Sequence, residues 1–167
     1  MKKTLVIVSA FLLIFISGCN IFNKQNVVPV LNTNFNSKGM AIVGEKEYDF
    51  NVSHDNEKNT NIDLKIHEGN TVVMKWDASG MQSIETNGIT NNISGFCPDS
   101  HWNTLVRIFN DMHDTQKFEI ISKNKDNNKL KSTINTMSIE ITTDVDGNLQ
   151  EITIPEKNIK SVFKKSV

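Results

Sequence analysis

Lys46-Glu47-Tyr48-Asp49-Phe50-Asn51-Val52 and Asn61-Ile62-Asp63-Leu64-Lys65-Ile66-His67 each alternate polar and apolar side chains without interruption. Successive side chains of a strand point to opposite faces, so a period of two predicts a strand with one buried and one wet face. Between the two runs, Ser53 to Asn59, with His54, Asp55 and Glu57, reads as a polar hairpin loop. Upstream, Met40-Ala41-Ile42-Val43 reads as another strand, joined to the first run by a tight turn at Gly44-Glu45. Downstream, Glu68-Gly69-Asn70 turns the chain into Thr71 to Trp76, and Ala78-Ser79-Gly80 turns it again into Met81 to Thr86 and then Ile89 to Ile93. Strand patterns resume at Lys117 to Ile121, Leu130 to Ile134, Met137 to Thr143, Leu149 to Ile154 and Ile159 to Phe163, with Asp146-Gly147 as a hairpin signal. The sum is ten or eleven short strands in meander order, a mainly β chain.

One segment breaks the period. Trp102, Leu105, Val106, Phe109 and Met112 recur at helical spacing, which predicts a helix from Ser100 to His113 with Asp99 or Ser100 as its N-cap. His113 would then end the helix, where a positive charge suits the helix dipole. The strands place Tyr48, Phe50, Ile62, Leu64, Ile66, Val72, Met74 and Trp76 on one apolar face, and a face that wide needs a cover. The expected architecture is a curved antiparallel sheet, or half-open barrel, covered by this one amphipathic helix.

The N-terminus carries a different signal. Lys2 and Lys3 precede an apolar run from Leu5 to Ile16, relieved by Ser9, which is the layout of a secretory signal. The run is too short for a stable membrane span, which needs about 20 residues. It ends in Ile16-Ser17-Gly18-Cys19, which resembles the lipobox of bacterial lipoproteins. That resemblance implies a signal peptide over residues 1–18, cleavage before Cys19 and fatty-acyl chains of the palmitate kind on the Cys19 thiol. Two or three acyl chains anchor durably, at about 0.8 kcal/mol per buried CH₂ group. Residues 19–34, polar with Pro29 among them, are expected to form a tether, and residues 35–167 a single domain. The expected location is the extracytoplasmic face of the cell membrane.

Charge excludes one class of partner. Loss of Lys2 and Lys3 leaves the basic residues further below the 19 acidic ones, taking the formal charge from −1 to −3. The chain has no basic footprint for nucleic acid and no polybasic strip for anionic lipid. Cys97 has no intramolecular partner once Cys19 is acylated, so it is either buried or available for an intermolecular bond.

A broader resemblance rests on the lipobox at Cys19, on Glu47 to Val52, and on Val73-Met74-Lys75-Trp76 before a glycine turn. It also rests on the single mid-chain helix and on the closing Ile139-Glu140-Ile141-Thr142-Thr143-Asp144, Gly147 and Ile152-Thr153-Ile154-Pro155. On these features the chain resembles the LolA/LolB-like fold of periplasmic lipoprotein carriers and receptors, and is similar to small clostridial lipoproteins of that fold. The resemblance implies either an apolar ligand held between sheet and helix, or a non-catalytic partner role like that of a germination lipoprotein that assists a peptidoglycan amidase.

Candidate sites are few. Tyr48, Phe50, Leu64, Trp76, Phe96, Trp102 and Phe109 would line an apolar pocket if one exists; otherwise they pack the helix onto the sheet. Cys97-Pro98-Asp99-Ser100-His101 places a thiol near an imidazole, yet metal sites need three or four ligands and a catalytic cysteine needs an oriented base. Asp144-Val145-Asp146-Gly147 has the glycine too early for a calcium loop. No catalytic residue, metal or cofactor is expected. The expected role is a non-enzymatic lipoprotein binding a protein partner at the cell envelope, the alternative being a carrier or sensor of a lipid or other apolar ligand.

Overall fold

The computed structural model describes residues 29–65, 70–93 and 100–165. The signal peptide, Cys19, His67, the turn at Glu68-Gly69, and Phe96, Cys97, Pro98 and Asp99 lie outside the described residues.

The alternating runs become strands: β1 Phe35–Val43, β2 Lys46–His54, β3 Thr60–Lys65, β4 Thr71–Asp77, β5 Gly80–Thr86 and β6 Ile89–Asn92. After the helix α1, His101–Asp111, follow β7 Glu119–Lys123, β8 Asn127–Ile134, β9 Met137–Asp144, β10 Leu149–Ile154 and β11 Ile159–Lys165. All eleven form one open antiparallel sheet in the order β6-β5-β4-β3-β2-β1-β11-β10-β9-β8-β7. The register sets the buried faces against one another: Phe50 lies opposite Leu64, Val52 opposite Ile62, and Ile62 opposite Met74.

A simple meander would run from β1 at one edge to β11 at the other. Instead β1 and β11 pair at the centre, with Gly39 opposite Phe163 and Ala41 opposite Ser161. A Cβ on Gly39 would lie 2.6 Å from the Phe50 ring and 2.8 Å from the Val162 carbonyl oxygen. The missing side chain therefore makes room for a ring over the strand. Because β6 and β7 are opposite edges, the connection between them must cross the sheet, and α1 is that crossing.

The helix starts at Ser100, in extended geometry, whose hydroxyl accepts from the Asn103 amide at 3.3 Å. It ends at Asp111 with Met112 as its C-cap, slightly inside the span that periodicity predicts. Trp102, Leu105, Val106, Phe109 and Met112 are all buried, as is Ile108 beside the stripe.

The β2–β3 and β9–β10 loops follow one plan, Asp-x-x-x-Asn, which no sequence repeat announces. In the first, Asp55 Oδ1 accepts from the amides of Glu57 and Asn59, and Asp55 Oδ2 accepts from the Asn59 side chain, each at 2.9 Å. In the second, Asp144 does the same with Asp146 and Asn148 at 2.8–3.0 Å. The fourth position has positive φ in both, 66° at Lys58 and 85° at Gly147. Asp144 thus organises a turn, with its carboxylate already committed.

The expected tether over residues 19–34 needs correction at its domain end. Pro29 is buried and Leu31 packs on the core. The Asn32 amide donates to the Gly147 carbonyl and its side chain to Asn148 Oδ1, both at 2.9 Å, while the Thr33 hydroxyl donates to Asn56 Oδ1 at 3.2 Å. The segment bridges the two loops because backbone polar groups next to a buried proline need partners. A Cβ on Gly147 would meet the Val30 carbonyl oxygen at 2.7 Å. Gly147→Ala should therefore destabilise by about 1–2 kcal/mol from its positive φ and loosen this docking. The check is a lower urea midpoint together with faster hydrogen exchange at the Asn32 amide.

Candidate functional site

Between helix and sheet lies a layer of rings. Trp102 meets Phe50 edge-on at 5.6 Å and Tyr48 at 6.1 Å between centroids, and Phe109 meets Phe35 at 5.2 Å and Phe163 at 6.1 Å. Phe50, Leu64, Trp76, Trp102 and Phe109 are at most 6 % exposed, and Tyr48 is partly buried against them. Five of the seven predicted pocket residues thus sit in packed core, Tyr48 sits at its margin, and Phe96 is outside the described residues. Edge-to-face geometry of this kind is how aromatic rings fill space efficiently.

Sequence reasoning missed a second cluster. His54 closes β2 on the buried face, at 2 % exposure, rather than joining the polar loop. Its Nδ1 is 2.8 Å from the Thr60 hydroxyl and its Nε2 is 3.0 Å from Nε2 of His113. Burial first, then the nearby His113, pushes the His54 pKa down to about 4. His113 is lowered too, by burial and by Lys58. Both shifts favour the uncharged imidazole, against the helix-end cation that the sequence suggested. The signal was present: His54 continues the Phe50, Val52 alternation, and His113 lies four residues after Phe109. Thr60 is fully buried, so its hydroxyl beside an imidazole offers a substrate no approach. His101 contacts Trp102 at 4.9 Å and Tyr48 at 6.3 Å, and its pKa is lowered by burial and by Lys157. Among the described residues no three His, Cys, Asp or Glu side chains converge to hold a metal.

The accessible concavity lies on the other side of α1. A cleft of about 830 Å³ runs between the helix, the β4–β5 turn and the β8–β9 turn. In a flat sheet β4 and β8 would stand roughly 34 Å apart, at about 4.8 Å per strand; their turns flank one cleft, so the sheet bends around the helix. Asn103, Arg107 and Asn110 form its floor, spaced along the helix opposite the buried stripe. Asn103 Oδ1 accepts from the Trp76 indole at 3.0 Å, which pins the helix to β4. On one rim Asp77 Oδ1 accepts from the Ser79 amide at 2.7 Å, the Ser79 hydroxyl at 2.6 Å and Gln82 at 3.0 Å. The Ser79 hydroxyl is the main reason the Asp77 pKa lies below the usual carboxylate value. Lys157 stands on the opposite rim. Of the expected pocket residues that are described, Trp76 alone reaches this lining.

No helix among the described residues is long and apolar enough to cross a membrane. The sequence matches no protein-family model and no curated protein.

Proposed function

We propose that the chain is a lipid-anchored, extracytoplasmic lipoprotein without catalytic activity, whose half-open, LolA/LolB-like barrel binds a protein partner at the cell envelope. The observation that carries the binding role is the filled interior. Trp102, Phe109 and Phe50 occupy the space in which an acyl chain would lie, while the open cleft mixes charged and polar groups such as Asp77, Arg107 and Asn135 with apolar ones such as Val106 and Met137. A protein segment suits that cleft better than a lipid does.

The anchor reading rests on Ile16-Ser17-Gly18-Cys19. From Cys19 the chain reaches Pro29 in ten steps, at most about 35 Å when fully extended. The end of the sheet that holds the two Asp-x-x-x-Asn loops would then face the membrane, leaving the rest of the domain to a partner. The non-catalytic reading is supported by the burial of Thr60 beside His54, which leaves that pair no substrate access.

Two measurements test the reading. In a bacterial host, wild type should partition with membranes and take up a labelled fatty acid, and Cys19→Ser should do neither; a labelled Cys19→Ser protein would overturn the anchor. Crosslinking of the membrane-held protein in its own envelope should then recover one defined protein. Recovery of bare membrane protein, with lipid retained in gentle native mass spectrometry, would favour the carrier of an apolar ligand instead.

A further inference from the structure

Four large apolar side chains are exposed among the described residues: Val30, Ile89, Ile121 and Val145. Ile89 and Ile121 sit on β6 and β7, the opposite edges of the sheet. Val30 and Val145, 63 % and 51 % exposed, belong to segments that touch. Val145 lies in the β9–β10 loop, and the Val30 carbonyl oxygen is so near Gly147 of that loop that a Cβ there would meet it at 2.7 Å. The Asn32 amide and side chain bond the same loop at Gly147 and Asn148. The two valines are therefore held beside one another and form one apolar spot rather than two scattered exposures.

The place of the spot selects its occupant. Pro29 is buried, so Val30 stands where the expected tether meets the domain. On the anchor reading, the acylated Cys19 lies ten residues before Pro29, at most about 35 Å away. Two valines alone would hold a membrane only marginally. Close to an anchor a weak contact suffices, because the tether keeps the effective concentration of bilayer high. Charge supplies none of this attraction. The charged residues of the two Asp-x-x-x-Asn loops are Asp55, Glu57, Lys58, Asp144 and Asp146, four acids to one base. Asp55 and Asp144 are bonded within their own turns but stay anionic. An anionic lipid surface would repel this end, so the contact draws on apolar burial and suits a zwitterionic bilayer.

We infer that Val30 and Val145 form a bilayer-contact site, entering the boundary between headgroups and acyl chains and holding both loops against the membrane. The inference rests on the lipid-anchor reading. It adds a second, non-covalent membrane contact, which fixes the side of the domain that a partner meets.

The test uses the acylated chain, isolated from a bacterial host and placed in phosphatidylcholine nanodiscs that carry a nitroxide on the lipid headgroup. The nitroxide should broaden the methyl signals of Val30 and Val145 and the Gly147 amide signal. It should leave sharp the amides of Gly44 and Asn135, in the β1–β2 and β8–β9 turns at the other ends of β2 and β9. Val30→Ser combined with Val145→Ser should lose that contrast and keep the wild-type melting temperature, since both side chains are exposed. Adding phosphatidylglycerol should not strengthen the broadening. Even broadening at both ends of the wild type, an undiminished contrast in the double variant, or a stronger effect with phosphatidylglycerol would each overturn the inference. So would a Val145 signal that stays sharp while the double variant fails to capture the envelope partner, which would give the spot to a protein. A chain that carries no acyl group overturns the anchor and this inference together. An acylated chain that broadens evenly overturns the contact site alone.

Discussion

Phe109→Ala is expected to lower the free energy of unfolding by about 3–5 kcal/mol, measured as a fall in the urea midpoint at unchanged m-value. Phe109 is fully buried on the helix stripe and lies 5.2 Å from the Phe35 ring, 5.7 Å from His54 and 6.1 Å from Phe163. Those partners come from β1, β2 and β11, the central strands of the sheet. The rigid β-sheet on one side and the helix backbone on the other limit how far the surroundings collapse, so the cavity persists and the cost stays near the upper part of the range. Ile121, 48 % exposed on the edge strand β7, provides the control. Ile121→Ala should change stability by no more than about 0.5 kcal/mol. A loss below about 1 kcal/mol for Phe109→Ala would mean that the helix does not hold the sheet together.

Acid should destabilise the fold in a window set by histidine. His54 titrates at about 4 in the folded protein against 6.5 for an ordinary histidine. The unfolded chain therefore binds more protons between these values, and stability falls as pH drops from about 6.5 toward 4. His113 and His101 are lowered as well and act in the same direction. The contribution of His54 is full above pH 6.5 and amounts to on the order of 2–3 kcal/mol. Its cause is structural: His54 Nε2 faces His113 Nε2 at 3.0 Å, so a single proton serves the contact and a second one would set N–H against N–H. The carboxylates of Asp55, Asp77 and Glu156 have lowered pKa values, so their share of stability is lost as pH falls through the carboxylate range, at the acid end of the histidine window and below it. Urea unfolding at pH 7.5, 5.5 and 4.5 should show a progressive loss. His54→Gln should be less stable at pH 7.5 and lose less on acidification. An equal acid loss in both proteins would remove His54 from the account.

Much of the architecture was legible locally. The alternation from Lys46 to Val52 survives as the graded burial of β2, and the stripe from Trp102 to Met112 survives as the buried face of α1. These patterns are legible because strand and helix periods follow from backbone geometry within a few residues. His54 was misplaced for a physical reason too. A histidine beside Asp55 and Glu57 reads as loop by composition, and it takes the Thr60 hydroxyl and the imidazole of His113, 59 residues away, to satisfy its two ring nitrogens when buried. The cleft was illegible because Trp76, Arg107 and Asn135 belong to three distant segments that meet only when the sheet bends.

The amino-acid order sufficed for the strands, their wet and dry faces, the single helix and the tetrapeptide that ends in Cys19, since each is written in neighbouring side chains. The adjacency of β1 and β11 is a different matter. Any two alternating strands satisfy each other's backbone hydrogen bonds, so pairing partners are degenerate at the level of pattern. The degeneracy is lifted in three dimensions, where Gly39 leaves room for the Phe50 ring opposite Phe163 and a helix joins the two outer edges. The docking of Asn32 between two loops and the exposure of Arg107 on the cleft floor follow from that arrangement, because both are relations between parts of the chain that local sequence does not connect.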